Sequence, residues 1–328
     1  MIKKLYIEPS SLCNLNCSMC FRNNWFEEKK GLMSKDTKNI LFQIFQKSNI
    51  ETVFFGGMGE PLMHPDIIEM VSCAVQAGKR TELITNATLL NSTMVKNLLR
   101  AGLHCLWVSM DGFSRESYEG IRKGSMYSLI MKNLEEFNRQ RTTTQLGITF
   151  VMMKENEYEL QHINRFADDI HADFINLSHV LPGEPLNQEE ALYEKDYPVG
   201  KMTRFLNHTS NKVENLCPFI AENCCFIRWD GEVCPCMQLL HNSYTYLYNE
   251  KRKVYSKSYG NINTQDFSDI FNSSEYMDFQ NNVSEFNYPC CTICMGCEDR
   301  LENKKDCMYN IEPTCGACLW AQGLIRCP

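Results

Sequence analysis

Between residue 4 and about residue 180 the chain alternates short β-prone runs with stretches of helical period, and no other feature of its 328 residues constrains the fold as tightly. The candidate strands are Lys4 to Glu8, Thr52 to Phe55, Arg80 to Ile84, Cys105 to Ser109, Gln145 to Met152 and Phe174 to Ser178. Between the second and third, Ile67, Met70, Val71, Ala74 and Val75 recur at helical spacing and Gly78 follows as a stop; Met94, Val95, Leu98 and Leu99, with Gly102 behind them, repeat the pattern. Parallel neighbours need a crossover, usually a helix, so six strands with five intervening helices predict an α/β chain, a partial (β/α)6 TIM-like barrel. Such barrels carry their working loops at the C-terminal ends of the strands.

Past residue 180 the periodicity fades. Leu181, Pro182, Gly183, Glu184 and Pro185 read as a break, followed by a polar, helical connection to about residue 215. The expected division is a core barrel over 1–180, a connecting segment over 181–216 and a cysteine-rich domain over 217–328. Of the 18 cysteines, 13 fall in that last part, too short and too weakly periodic to hold its shape without metal.

Composition supports the metal assignment. Hydrophobic residues at 44% and charged residues at 22% are an ordinary globular balance, and a net charge of -7 gives no global attraction to nucleic acid or to anionic lipid. The opening MIKKLYIEPS lacks the apolar run and cleavage site of a secretory signal, and no later run is long enough to span a bilayer. A cytoplasmic location is therefore expected, without nucleic-acid or membrane partners. There thiols stay reduced, and so many cysteines point to ligation more than to disulfides. Cys73 and Cys105 lie within apolar patterns and read as small buried hydrophobes, and Lys251, Arg252, Lys253 and Lys257 read as a solvated basic loop.

Cys13, Cys17 and Cys20 follow directly on the first strand with the spacing C-x3-C-x2-C. A cubane iron–sulfur cluster normally takes four thiolates, so three from one loop leave one iron open to a small molecule. A closed zinc site with a distant fourth ligand is the bland alternative. The stretch CNLNCSMCF, with Phe21 after the third cysteine, resembles the cluster loop of the radical SAM superfamily. The resemblance implies a radical SAM barrel, a [4Fe–4S] cluster with S-adenosylmethionine (SAM) on its open iron, and reductive cleavage of SAM to a 5′-deoxyadenosyl radical, with Phe21 near the adenine. Gly56, Gly57, Met58, Gly59, Glu60 and Pro61 after the second strand would alone be a tight turn. Here they look like that family's GGE-type motif, in which Gly56, Gly57 and Glu60 meet the SAM ammonium. Asn86 in LITNATLL matches a TNG-type position with a SAM contact, although an Asn just past a strand is also a turn former. Ser109 and Asp111 lie in VSMDG and Arg122 in GIRKG. By resemblance Ser109 contacts the ribose and Arg122 pairs with the SAM carboxylate, a role suited to a planar guanidinium. Asp111 reads instead as a helix cap or turn residue.

Cys217, Gly231 and Cys236 form C-x13-G-x4-C, which resembles the opening of a SPASM domain. The run Cys291-x2-Cys294-x2-Cys297-x9-Cys307 departs from the usual second half of that pattern. The SPASM-like domain implies one or two auxiliary [4Fe–4S] clusters, with Cys217, Cys225, Cys236, Cys291, Cys294, Cys297, Cys307, Cys315, Cys318 and Cys327 as candidate ligands. The ending TCGACLWAQGLIRCP, with the dense cysteine ladder, is similar to the radical SAM maturases, or cofactor-modifying proteins, of tungsten-containing aldehyde:ferredoxin oxidoreductases. Trp320 reads as packing over a cluster. These resemblances imply an enzyme that modifies a tungsten oxidoreductase or its pterin cofactor, with ferredoxin or flavodoxin as electron donor. The nearest alternative is a maturase of a ribosomally made peptide or protein; a non-enzymatic iron–sulfur carrier would not need the strand-end motifs. The seven histidines are scattered, and none stands out as an acid or base.

Overall fold

The computed structural model describes residues 2–183, 217–247, 249–294 and 296–323. From residue 184 on, the expected connecting segment lies outside the described residues, and so does Cys327. Six parallel strands form in chain order: β1 (Lys4–Ile7), β2 (Thr52–Phe55), β3 (Arg80–Thr85), β4 (Cys105–Ser109), β5 (Gln145–Met152) and β6 (Phe174–His179). Each pairs with the next, in the α/β arrangement read from the sequence.

The crossovers are helices, and their ends follow from single residues. In α1 (Lys35–Lys47) the Ser34 side chain accepts the Thr37 amide, and in α3 (Ser92–Arg100) Asn91 does the same for Met94. Each satisfies one of the amides that a helix start leaves unpaired. Helix α2 (Ile67–Gln76) buries Ile67, Met70, Val71 and Ala74. Gly78 and Gly102 then take φ of +75° and +84°, a conformation that side chains disfavour, and turn the chain into β3 and β4. Helices α4 (Arg115–Ile121) and α5 (Tyr127–Gln140) share one crossover, and α6 (Ile163–Asp169) precedes β6. Strand β4 is buried at all five positions, as a strand covered on both faces must be.

The C-terminal part does not stand apart from this sheet. Strand β7 (Cys224–Ile227) pairs in parallel with β1, with Lys4 opposite Cys224, and β8 (Val233–Cys234) returns antiparallel to β7. The sheet therefore has eight strands, in the order β6-β5-β4-β3-β2-β1-β7-β8. A second, two-stranded sheet joins β9 (Ser243–Leu247) to β10 (Glu250–Val254). The expected solvated loop around Lys251 is corrected by this pairing: Lys251 and Lys253 point outward from β10, whereas Arg252 between them is buried. Alternation along a strand sends neighbours to opposite faces, which a count of charges does not reveal. Among the described residues no helix is long and apolar enough to cross a membrane.

Candidate active site and cluster cysteines

A cavity of about 240 Å³ opens at the C-terminal ends of the parallel strands. Its wall gathers Cys13, Cys17, Cys20, Phe21, Gly57, Glu60, Asn86, Ser109 and Arg122 from loops and strands far apart in the chain. Gly56 is buried and does not line it.

The cysteine loop is held from two sides. Arg22 donates to the carbonyls of Ser11 and Leu15, each at 3.2 Å. The Asn16 and Ser18 amides donate to Lys123 and Ile121 at 3.0 and 2.9 Å, fastening the loop to the end of α4. Cys13 Sγ receives the Leu15 amide at 3.5 Å and the Asn86 side-chain amide at 3.7 Å; burial raises its thiol, and the Leu15 amide offsets part of that rise. Burial pushes the Cys17 thiol up to about 11, so this sulfur is a poor anion until a metal binds it.

Why the next loop is glycine-rich is visible in its packing. A Cβ on Gly59 would lie 2.1 Å from the Ser10 carbonyl oxygen, and one on Gly57, where φ is +115°, would lie 2.7 Å from Glu8 Cγ. The loop runs directly against the segment leading into the cysteines, and the absent side chains make that approach possible. Glu60 ties this loop to the end of β3: its Oε1 accepts from Thr85 Oγ1 at 2.6 Å and the Leu62 amide at 3.1 Å, and Oε2 accepts the Asn86 amide at 2.8 Å. Burial raises the Glu60 carboxyl, against hydrogen bonds that favour its charged form. Asn86 is a turn former, its Oδ1 accepting the Thr88 amide at 3.0 Å, and its other end reaches Cys13. Ser109 Oγ accepts from Thr149 at 3.4 Å.

Asp111 neither caps a helix nor closes the turn. It is fully buried, accepts the Val151 amide at 2.8 Å and forms an ion pair with Arg122 Nη2 at 2.6 Å. Burial would lower the Arg122 basicity, but the Asp111 carboxylate reverses this and holds the guanidinium charged. The buried Arg122 Nε has no hydrogen-bond partner among the described residues, and Arg122 lines the cavity. A donor left over beside a fixed cation fits a bound carboxylate.

Sequence reasoning missed the opposite wall and the support beneath the site. His179, the last residue of β6, lines the cavity with Leu181, Met237 and Trp320, the last two from the C-terminal part. His241, among the scattered histidines, is fully enclosed: Nε2 lies 3.1 and 3.0 Å from the two oxygens of Glu8, and Nδ1 lies 3.0 Å from Glu28 Oε2. Trp25 stacks on its ring at 4.0 Å. Burial lowers the basicity of this imidazole, but Glu8 and then Glu28 outweigh it and raise it, and a carboxylate oxygen facing each nitrogen favours the ring that donates from both. Glu8 in turn accepts the Met58 amide at 3.1 Å, so His241 braces the glycine loop from the C-terminal part. No motif spacing marks this residue; the three acid and base partners lie up to 233 positions apart.

In the C-terminal part Cys217, Cys236, Cys315 and Cys318 form one neighbourhood: Cys318 acts electrostatically on the other three, and Cys217 and Cys236 act on Cys315. Desolvation raises all four thiols, Cys217 to about 12, yet each keeps accessible surface. Three of them share a local device. Cys217 receives the amides of Phe219 and Ile220, Cys236 those of Gln238 and Leu239, and Cys318 those of Trp320 and Ala321. Each sulfur thus sits at the start of a helical turn and takes the amides two and three positions on, as a capping oxygen would. Such donors to sulfur suit an anionic iron–sulfur cluster.

Cys291, Cys297 and Cys307 form a second neighbourhood, with Cys294 one turn beyond Cys291, its amide donating to the Cys291 carbonyl at 3.3 Å. Among the described residues no three Cys, His, Asp or Glu side chains converge closely enough for a single ion. A zinc ion with sulfurs at about 2.3 Å demands that convergence. The structure places Cys225 elsewhere, fully buried in the main hydrophobic core on β7, with its thiol 3.9 Å from the Phe226 and Cys234 carbonyls. Alternation along β7 sends Cys224, and not Cys225, to the face that meets Cys217, Cys236 and Cys318, so a ligand role does not fit Cys225. Cys105 is buried on β4 and Cys73 lies half-buried on α2.

Residues 7–167 match the radical SAM superfamily, and residues 217–298 match SPASM, an iron–sulfur cluster-binding domain. Over its whole length the chain is 30% identical to the tungsten-containing aldehyde ferredoxin oxidoreductase cofactor-modifying protein of Pyrococcus furiosus, spanning 97% of that protein. With the AdoMet-dependent heme synthase of Methanosarcina barkeri it shares 26% identity, over 58% of this chain and 54% of the other. The chain therefore belongs to the radical SAM superfamily and, within it, to the family of that cofactor-modifying protein. Among solved structures, native anSMEcpe with bound AdoMet shares the fold at a TM-score of 0.63 and 17% identity, covering 98% of this chain and 95% of that one. Streptococcus suis SuiB bound to S-adenosylmethionine does so at 0.61 and 17%, covering 85% and 68%. The protein is a SAM-dependent iron–sulfur enzyme with an auxiliary cluster domain, as the cysteine pattern predicts.

Proposed function

We propose that the strand-end cavity is the site of SAM cleavage and that the enzyme acts in the maturation of a tungsten oxidoreductase, on the protein or on its pterin cofactor. The observation that carries the first half is the convergence of three cysteines, Gly57, Glu60, Asn86, Ser109 and Arg122 on one cavity. Cys13, Cys17 and Cys20 would hold the cluster, whose bound form supplies one electron to SAM and thereby hydrogen abstraction from a substrate. Arg122 Nε takes the SAM carboxylate, Glu60 and the backbone of the glycine loop take its ammonium, Ser109 its ribose, and Phe21 packs on its adenine. Asp111 keeps Arg122 in place, and the buried floor of the cavity excludes water from the reacting groups. Cys217, Cys236, Cys315 and Cys318 would hold one auxiliary cluster and Cys291, Cys294, Cys297 and Cys307 another, in contact with an electron donor such as ferredoxin or flavodoxin.

The second half rests on the relative from Pyrococcus furiosus, which matches from end to end. A peptide or protein substrate is the second reading, favoured by the shared fold with anSMEcpe bound to AdoMet and a Cp18Cys peptide and with SuiB bound to its precursor peptide SuiA. In that reading Leu181, Met237 and Trp320 form the apolar mouth that receives the substrate. The test is to reconstitute the chain without oxygen, add SAM, a strong reductant and either the tungsten oxidoreductase or a precursor peptide carrying deuterium, and follow label into 5′-deoxyadenosine. Label from the oxidoreductase or its cofactor supports the first reading, and label from the peptide supports the second. An iron-loaded enzyme that makes no 5′-deoxyadenosine overturns the site.

A further inference from the structure

The basic run on β10 hides one residue whose environment is unlike that of its neighbours. Arg252 is 4% exposed, and its Nε donates to the Arg300 carbonyl at 2.9 Å. Arg300 itself, equally buried, has a carboxylate partner, Glu250, bonded through Nε at 2.8 Å. Arg252 has none among the described residues; the groups acting on its charge are Cys318, Cys315 and Cys291. A guanidinium buried away from water needs an anion, and protonated thiols do not provide one. Thiolates ligated to iron do, because a coordinating thiol gives up its proton.

The place is also where the two cysteine sets meet. Cys315 and Cys318 belong to the first set and flank Gly316, whose carbonyl accepts the Cys291 amide of the second set at 3.0 Å. A Cβ on Gly316 would lie 2.9 Å from Cys291 Sγ, so the two sets are in contact there. Arg252 acts electrostatically on Cys315 and Cys318 of the first set and on Cys291 of the second.

We propose that Arg252 is a counter-ion shared by the two auxiliary iron–sulfur clusters and that it raises their reduction potentials. The inference rests on the cluster ligation proposed above. Each electron entering a cluster adds a negative charge, and a fixed cation nearby in a poorly polarisable interior stabilises the reduced form. Arg252 is thus a positioning and tuning residue that takes no part in bond making.

The experiment uses the full chain with Cys13, Cys17 and Cys20 changed to Ala, so that auxiliary clusters alone report, reconstituted anaerobically and titrated with dithionite while the reduced signals are followed by electron paramagnetic resonance. Arg252→Met should keep its iron and titrate at a more negative potential. At the potential where the reference is half reduced, its reduced-to-oxidised ratio should fall about tenfold. Arg252→Lys, which keeps the charge, should stay near the reference. An Arg252→Met chain with unchanged iron and unchanged potential overturns the inference alone. Should Arg252→Met fail to take up iron, Arg252→Lys decides: retained iron and potential support a role of charge, and loss of iron there as well overturns it in favour of shape. A reference chain without auxiliary iron overturns the cluster reading, and this inference with it.

Discussion

The cysteine loop of the barrel and the buried cysteines of the C-terminal part use the same side chain in opposite settings. Cys13, Cys17 and Cys20 stand on the wall of a cavity, and Cys13 is steadied by one backbone amide and one side-chain amide. Cys217, Cys236 and Cys318 lie in the interior, and each takes two backbone amides from the turn that follows it. The first set offers three thiols at the edge of a cavity; the second offers four that burial desolvates strongly. The difference teaches that openness here is a property of where the loop lies on a barrel, whereas closure comes from helical turns wrapped on each sulfur. With the ligation proposed above, a small molecule would reach the open iron of the first set, whereas four thiolates would leave no open position in the second.

The largest effect that bears on this contrast is all-or-none. Replacing Cys13, Cys17 and Cys20 by Ala should abolish formation of 5′-deoxyadenosine while the chain retains about eight irons, the content of two cubanes. Normal SAM cleavage by that variant would break the contrast, and zinc in place of the retained iron would break its second half. Next, Cys236→Ala should lose about four irons and leave the SAM-binding cluster, read as iron and sulfide content beside SAM cleavage by the same preparation. A chain that keeps its full iron would remove Cys236 from the closed set.

Between the two regions, His241→Ala strands Glu8 and Glu28 without their shared cation. Removing one member of a buried charge set costs roughly 3–5 kcal/mol, so the anaerobic melting temperature should drop sharply. A variant melting with the parent would show that His241 does not brace the glycine loop. Smaller again, Arg122→Lys keeps the charge beside Asp111 but loses the fork. The loss of a charge-assisted hydrogen bond, about 1.5–3 kcal/mol, should weaken SAM binding by roughly one to two orders of magnitude. Unchanged affinity in equilibrium binding would take Arg122 out of the site.

The smallest effect is one of pH. Glu8 and Glu28 raise the His241 pKa in the folded protein above its ordinary 6.5. The stability it contributes is then fully present below about pH 6.5 and is lost as pH rises through the raised folded value. Arg228, 3.9 Å from Glu28, keeps its charge throughout that window and leaves the sign unchanged. Melting temperatures should therefore fall from pH 6 to pH 9, and a rise over that range attributable to His241 would contradict the protonated bridge.

What could be read from the chain was whatever is local. The alternation of β-prone and helical runs predicted all six parallel strands, because period and stop signals such as Gly78 and Gly102 act within a few residues. The C-x3-C-x2-C loop was legible for the same reason. Even β7 and β8 left a local trace in Asp230-Gly231 between apolar runs, a hairpin signal obscured by the cysteines around it. Tertiary structure alone decided which cysteines share a neighbourhood, since Cys236 and Cys315 meet across 79 positions and Cys225, next to a ligand-like run, faces the core. It alone decided that Arg252 is inside while Lys251 and Lys253 are outside, and that His241 lies between Glu8 and Glu28. Burial and Coulomb attraction depend on distance through space, and a chain that folds back on β1 from residue 224 sets those distances where no sequence interval records them.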